Sequence, residues 1–141
     1  MNKYVLGIDQ STQGTKGLLF DEKGALVCRA DLPHKQYIDE RGWVEHDPEE
    51  IYANTLQVVK NLIEKAGIDK KEISVLGISN QRETALVWDR KTGKPVYNAV
   101  VWQCARAVDI CARVEKAGAA ELIRQKTGMN LSPYFPASKI A

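Results

Sequence analysis

Tyr4-Val5-Leu6-Gly7-Ile8-Asp9-Gln10-Ser11-Thr12-Gln13-Gly14-Thr15-Lys16-Gly17-Leu18-Leu19-Phe20-Asp21 lies near the start of the chain. Its first residues form an apolar run that reads as a strand, and Lys16 to Asp21 reads as the strand that returns. The first strand delivers Asp9 into a turn of small and hydroxyl residues. A carboxylate at a strand end, a Gly/Ser/Thr turn and then a cation are the equipment for holding a metal-bound polyphosphate. Asp9 can hold Mg²⁺ through water, because that ion keeps much of its hydration. Turn N–H groups and the hydroxyls of Ser11, Thr12 and Thr15 can donate to phosphate oxygens, as backbone concavities do for anions. Lys16 adds positive charge. The same string also suits a plain β-hairpin with a small, polar turn, and the stretch from Asp9 to Lys16 alone does not separate the two.

Working outward, residues 3–9, 16–21 and 25–31 read as an antiparallel meander, with Asp21-Glu22-Lys23-Gly24 as its second turn. Residues 32–46 carry Pro33, Gly42 and Trp43 and read as irregular. A helix is expected over 48–66. Asp47 is a good N-cap, Pro48 suits the first turn, and Glu50 completes an Asp-x-x-Glu capping box. Ile51, Thr55, Val58, Val59, Leu62, Ile63 and Ala66 share one face of that helix, and Gly67 ends it. Ile73 to Ser79 reads as a buried strand of the same sheet. Short strands are expected at 85–88 and 99–102, and helices at 103–117 and 118–127. Residues 129–141 read as loop, with Lys139-Ile140-Ala141 as the start of a further helix. Strands followed by alternating helix and strand predict an α/β fold with a mixed sheet flanked by helices. Tyr134-Phe135 is an apolar pair with little after it to pack against, from which the chain is expected to be the N-terminal part of something larger.

At 141 residues, 44% hydrophobic and 27% charged, the chain has the size and composition of an ordinary globular domain. A formal net charge of +2 gives no basis for nucleic-acid or membrane-surface binding. No stretch approaches the roughly 20 apolar residues of a membrane span, and no charged-then-apolar leader precedes the first strand. Cys28, Cys104 and Cys111 form an odd set without a CxxC pair, which points to a reducing, cytoplasmic compartment and to thiols that pack as small hydrophobes. With His34 and His46 they do not make a metal-ligand set. G-x-x-x-x-G-K-[ST], G-x-G-x-x-G and G-x-S-x-G are all missing from the sequence, so the P-loop, dinucleotide and serine-hydrolase readings fail.

A second polar cluster, Asn80-Gln81-Arg82-Glu83-Thr84, follows the strand over 73–79. In open α/β sheets ligands bind beyond the carboxyl ends of strands. Arg82 offers a fork of donors and ionised Glu83 offers acceptors, a combination that grips vicinal hydroxyls. A solvated turn, or an Arg–Glu pair closed on itself, explains the same residues. Trp102 and Tyr134 could stack on the C–H faces of a polyol, or simply pack in the core.

Taken together, GIDQSTQGTKGLLFD at 7–21, GWVEHDPEEIYA at 42–53, GISNQRETALVWDRKTGKPVYNAVVWQ at 77–103 and TGMNLSPYF at 127–135 resemble the N-terminal part of an FGGY-family carbohydrate kinase. They span nearly the whole chain in the family's order. The resemblance implies the ribonuclease H-like fold shared with actin and hexokinase. It implies ATP-dependent phosphorylation of a polyol or sugar hydroxyl with Mg²⁺, by an enzyme that can be a homo-oligomer. By the same resemblance Asp9 sits near the metal and the transferred phosphoryl group. Thr12, Gln13 and Lys16 belong to the first phosphate loop, beside Ser11 from the reading of the turn, and Arg82, Glu83, Trp102 and Tyr134 line the polyol pocket. Asn80-Gln81-Arg82-Glu83-Thr84 favours glycerol over xylulose, gluconate or ribulose; a non-catalytic binding module is the alternative of another class. Two departures stand out. Lys16 replaces an arginine fork with a point charge, and Ala105-Arg106 stands where the family often has two arginines. Family members are longer. Their general base and adenosine site correspond to sequence beyond residue 141, so the domain over 1–141 is expected to be incomplete and inactive alone.

Overall fold

The computed structural model describes residues 3–141. The chain forms two units, one taking in the chain to Lys35 and Asp47–Gln81, the other Gln36–His46 and Arg82–Ala141.

In the first unit, β1 (Tyr4–Gln10), β2 (Gly14–Phe20) and β3 (Leu26–Pro33) form the expected meander. After α1 (Pro48–Ala66), β6 (Ile73–Asn80) returns parallel to β1, giving a mixed sheet of order β3-β2-β1-β6. Alternation decides the faces. Leu6 and Ile8 of β1 and Leu19 of β2 turn inward and form a core with Val58 and Leu62 of α1. Gly17 lets the helix come down on β2: a methyl there would stand 2.5 Å from Val58 Cγ1 and 2.6 Å from Leu62 Cδ1. α1 keeps its expected bounds, from N-cap Asp47 to a left-handed Gly67. The capping box does not form. Asp47 accepts from the Glu49 N–H, while the Glu50 carboxylate accepts from the backbone N–H of Lys35, 3.2 Å away. The reciprocal box occurs instead between Asp69 and Glu72, just before β6.

β6 corrects another expectation. Its apolar run reads as buried, yet Ile78 is 65% exposed. Leu76 and Ile78 pair with Leu6 and Ile8 in register, but α1 lies against β2 and β3, which leaves β6 uncovered at the sheet edge among the described residues.

In the second unit, the segment expected to be irregular contains β4 (Gln36–Ile38) and β5 (Val44–His46), which pair with β7 (Ala99–Val100) in an antiparallel sheet. The expected strand at 85–88 reduces to single bridges, Ala85 to Val100 and Trp88 to Pro95. Val44, Ala85, Val100, Val101 and Cys104 form its core, with Trp43 and Trp102 packed against them. The helix expected over 103–117 is a 3₁₀ turn at Ala105–Ala107 running into α2 (Val108–Lys116). It is followed by α3 (Ala120–Thr127) and, in the tail that reads as loop, α4 (Pro136–Ile140). Among the described residues no helix is long and apolar enough to cross a membrane.

Candidate functional site

The β1–β2 hairpin places Asp9 and Lys16 directly opposite each other in the antiparallel ladder. Their side chains meet at 3.8 Å and both are nearly half exposed. Since Leu6 and Ile8 face α1, Asp9 falls on the opposite face of the sheet, and Lys16 with it. Lys16 is also in register with Asp31 of β3, whose carboxylate is held by the Arg29 guanidinium at 2.7 Å. The Arg29 hydrogen bond holds the Asp31 carboxyl below its ordinary range. Lys16 is thus ranked between two carboxylates and leans on Asp9.

The turn itself is tightly closed. Ser11 donates both its backbone N–H (2.9 Å) and its hydroxyl (3.0 Å) to the Gly14 carbonyl. Both Ser11 donors are therefore spent inside the hairpin, and only its hydroxyl lone pairs remain. Thr15 corrects the sequence reading. It is fully buried on the α1 side of β2, because alternation along β2 turns Thr15 inward when Lys16 turns out. Its hydroxyl lies 3.1 Å from His34 Nε2 and 3.4 Å from the Thr55 hydroxyl. Asn54 Nδ2 donates to the Pro33 carbonyl and lies 3.2 Å from His34 Nδ1. That makes Nδ1 the acceptor and leaves Nε2 to donate to Thr15. Burial pushes the His34 pKa down, and the Glu50 carboxylate pulls it part of the way back. Thr12 is half-buried and Gln13 exposed at the tip.

The second unit holds the other candidates. Arg82 is exposed and Glu83 half-buried. Glu83 has φ 62°, the positive φ of a non-glycine residue among those described. Such a backbone costs on the order of 1–3 kcal/mol and clusters at functional positions. Trp102 and Tyr134 meet edge to face with ring centroids 5.9 Å apart. Tyr134 in turn meets Phe135 at 5.2 Å, so the Tyr-Phe pair does find packing partners. α4 carries Lys139, whose ammonium donates to the carbonyls of Glu83 and Tyr134. Sequence reasoning did not single out this lysine; only its distance from Glu83 along the chain hides it.

Arg106, the arginine retained after Trp102-Gln103-Cys104, turns to Glu45 in a largely buried ion pair. Tyr97 and Asn98 also donate to the Glu45 carboxylate, at 3.0 and 2.8 Å. Burial works to raise the Glu45 pKa, but the three donors outweigh it and hold the carboxyl below its usual value. Trp43 lies under both Arg41 (3.8 Å) and Arg106 (4.5 Å). Arg106 therefore ties β5 to the turn before α2.

Among the described residues no three His, Cys, Asp or Glu side chains gather as a metal cage. A lone carboxylate beside a lysine suits an ion that keeps waters and phosphate oxygens in its shell, as Mg²⁺ does. Cys28, Cys104 and Cys111 are all free thiols.

A mixed α/β fold carrying these groups defines a class. The chain belongs to the FGGY family of carbohydrate kinases, whose N-terminal domain it matches over residues 4–141. Among its relatives, glycerol kinase 1 of Thermotoga maritima is 56% identical over 137 residues, which cover 97% of this chain and 28% of that protein. The crystal structure of Plasmodium falciparum glycerol kinase with ADP superposes with a TM-score of 0.89 at 40% identity, over 99% of this chain and 28% of that one. Gluconate kinase from Lactobacillus acidophilus superposes with a TM-score of 0.90 at 28% identity, again over 99% of this chain and 28% of that one. The chain thus spans 28% of the length of the curated relatives it matches.

Proposed function

We propose that the chain supplies polyol- and phosphate-handling residues of an ATP-dependent carbohydrate kinase, with glycerol as acceptor, so that the complete enzyme converts ATP and glycerol to ADP and glycerol 3-phosphate. The observation that carries this reading is the Asp9–Lys16 pair at the end of β1, in a chain of a carbohydrate-kinase family. Phosphoryl transfer depends mainly on positioning and on stabilising charge. On this reading Asp9 orients the metal–phosphate complex through water, and Lys16 holds that carboxylate in place. Thr12 and Gln13 line the approach. Mg²⁺, when bound, supplies charge neutralisation on the phosphate oxygens. Arg82 donates to the acceptor's hydroxyls and Glu83 accepts from them, while the Trp102–Tyr134 pair covers the C–H face.

The matched relatives extend well past the part this chain covers; on this reading the general base and the adenosine site belong to that remainder, and the chain alone is expected to bind without turnover. The free thiols support a reducing, cytoplasmic setting. The complete enzyme is free to form a homo-oligomer, which sedimentation would decide.

Calorimetry of the chain with glycerol tests the reading. Binding is expected, weakened roughly tenfold or more in Arg82→Ala, since a hydrogen bond from a charged group is worth about 1.5–3 kcal/mol. No binding, or equal binding by the variant, contradicts it. So does robust ADP release from the chain alone. The relatives include a gluconate kinase of closely similar fold, so xylulose, gluconate and ribulose belong in the same titration.

A further inference from the structure

Lys139 has no part in the polyol and phosphate contacts proposed above. Its ammonium donates to the Glu83 carbonyl at 3.1 Å across 56 positions of chain, and also to the Tyr134 carbonyl. It stands 5.9 Å from the Tyr134 ring centroid. The residue whose carbonyl it holds from afar, Glu83, is the one with a left-handed backbone at φ 62°. Two carbonyl oxygens aimed at one point repel unless a cation sits between them, and an ammonium has three donors to share among such acceptors. The side chain is half-buried, and a charge taken from water costs free energy unless it is hydrogen-bonded. Burial pushes the Lys139 pKa below its ordinary value, while Cys104, Glu83 and Cys111 pull it back. Within the first turn of α4, the Ser138 hydroxyl donates back to the Phe135 carbonyl at 2.9 Å.

We propose that Lys139 is a positioning residue of the polyol pocket: its ammonium clamps the Glu83 peptide in the left-handed conformation and ties the Tyr134 backbone to it. The Glu83 carboxylate and the Tyr134 ring come from distant segments, and the Lys139 ammonium links their backbones. With the clamp in place, both are presented on one frame before ligand arrives, which lowers the cost of ordering them on binding. The inference rests on the reading of Glu83 and Tyr134 as polyol contacts.

The test uses the 141-residue chain and two independent readouts. Without ligand, nuclear magnetic resonance follows the backbone coupling constant of Glu83, the Tyr134 amide and the Trp102 indole in the unsubstituted chain, Lys139→Met and Lys139→Arg. Lys139→Met should release Glu83 from its positive φ and move all three signals, with β1–β3 and α1 undisturbed; Lys139→Arg should restore them in part. Calorimetry should then show glycerol binding weakened roughly tenfold in Lys139→Met, the loss of about one charge-assisted hydrogen bond. Unmoved Glu83 and Tyr134 signals overturn the clamp, and unchanged glycerol affinity overturns its role in the pocket. If Lys139→Met does not fold, the unsubstituted chain still decides. The Lys139 ammonium protons should exchange with water more slowly than those of exposed lysines, and equally fast exchange overturns the proposal. If the unsubstituted chain binds no glycerol, the polyol reading is what fails, because the clamp is measured without ligand.

Discussion

In the β1–β2 hairpin, Asp9 and Lys16 meet across a single turn; in the second unit, the Glu83 and Tyr134 backbones are joined through Lys139, near the far end of the chain. The hairpin's charges are placed by ladder register, so the pairing is local and any residue of like charge would sit in the same place. The second cluster is placed by tertiary structure, at the cost of a strained Glu83 backbone and a half-buried ammonium. A site built by register is robust to changes elsewhere, whereas one built by a remote clamp has a single point of failure.

The supports of the two regions can be broken separately, with hydrogen exchange followed unit by unit. The largest effect is expected from Leu62→Ala. Leu62 is fully buried between α1 and the hairpin sheet, and the cavity should cost about 4 kcal/mol. Protection should fall in β1–β3 and α1. Next comes Arg106→Met, which leaves the largely buried Glu45 carboxylate with Tyr97 and Asn98 as its donors among the described residues. About 3 kcal/mol should be lost, with protection falling around β5 and β7. Gly17→Ala should cost about 2 kcal/mol by driving a methyl into Val58 and Leu62. Loss of protection confined to the wrong unit would show that the two supports are not separate.

The smallest effect is a pH dependence specific to the hairpin unit. The folded-state pKa of His34 is depressed by burial. Its contribution to stability is therefore complete above the ordinary histidine value of about 6.5, and fades as pH falls toward the folded value. Protonation at Nδ1 would also break the contact from Asn54. Denaturant midpoints should fall below that pH in the parent chain and fall less in His34→Gln. A parallel fall in both would remove His34 from the account.

The same contrast explains what could be read before any coordinates. Strands β1 to β3 announce themselves by apolar runs and turn residues, and α1 by Asp47, Pro48 and Gly67, because those signals are local. β4 and β5 were hidden: Gln36–Ile38 and Val44–His46 are three residues each, and they exist by pairing with each other and with β7. The Asp47–Glu50 box failed because Glu50 has a better partner in the Lys35 N–H. Thr15 looked like a phosphate donor because the turn's composition does not say which way β2 alternates. β6 looked buried because its composition says nothing about which strands α1 covers. Asp9 and Lys16 were legible as a pair since they bracket one turn. Lys139 was not, since nothing at 136–140 refers to Glu83.

The central claim is that Asp9 serves the phosphate end of the reaction and not the polyol end. The direct test is a chimera in which residues 4–141 replace the matching part of Thermotoga maritima glycerol kinase 1, assayed for kcat and for the KM of glycerol with and without Asp9→Asn. The substitution should lower kcat by about 10²–10³-fold, the usual loss when a group stabilising transition-state charge is removed, and leave the KM for glycerol within about twofold. A normal kcat, or a loss that appears only as a raised KM for glycerol, would contradict the account.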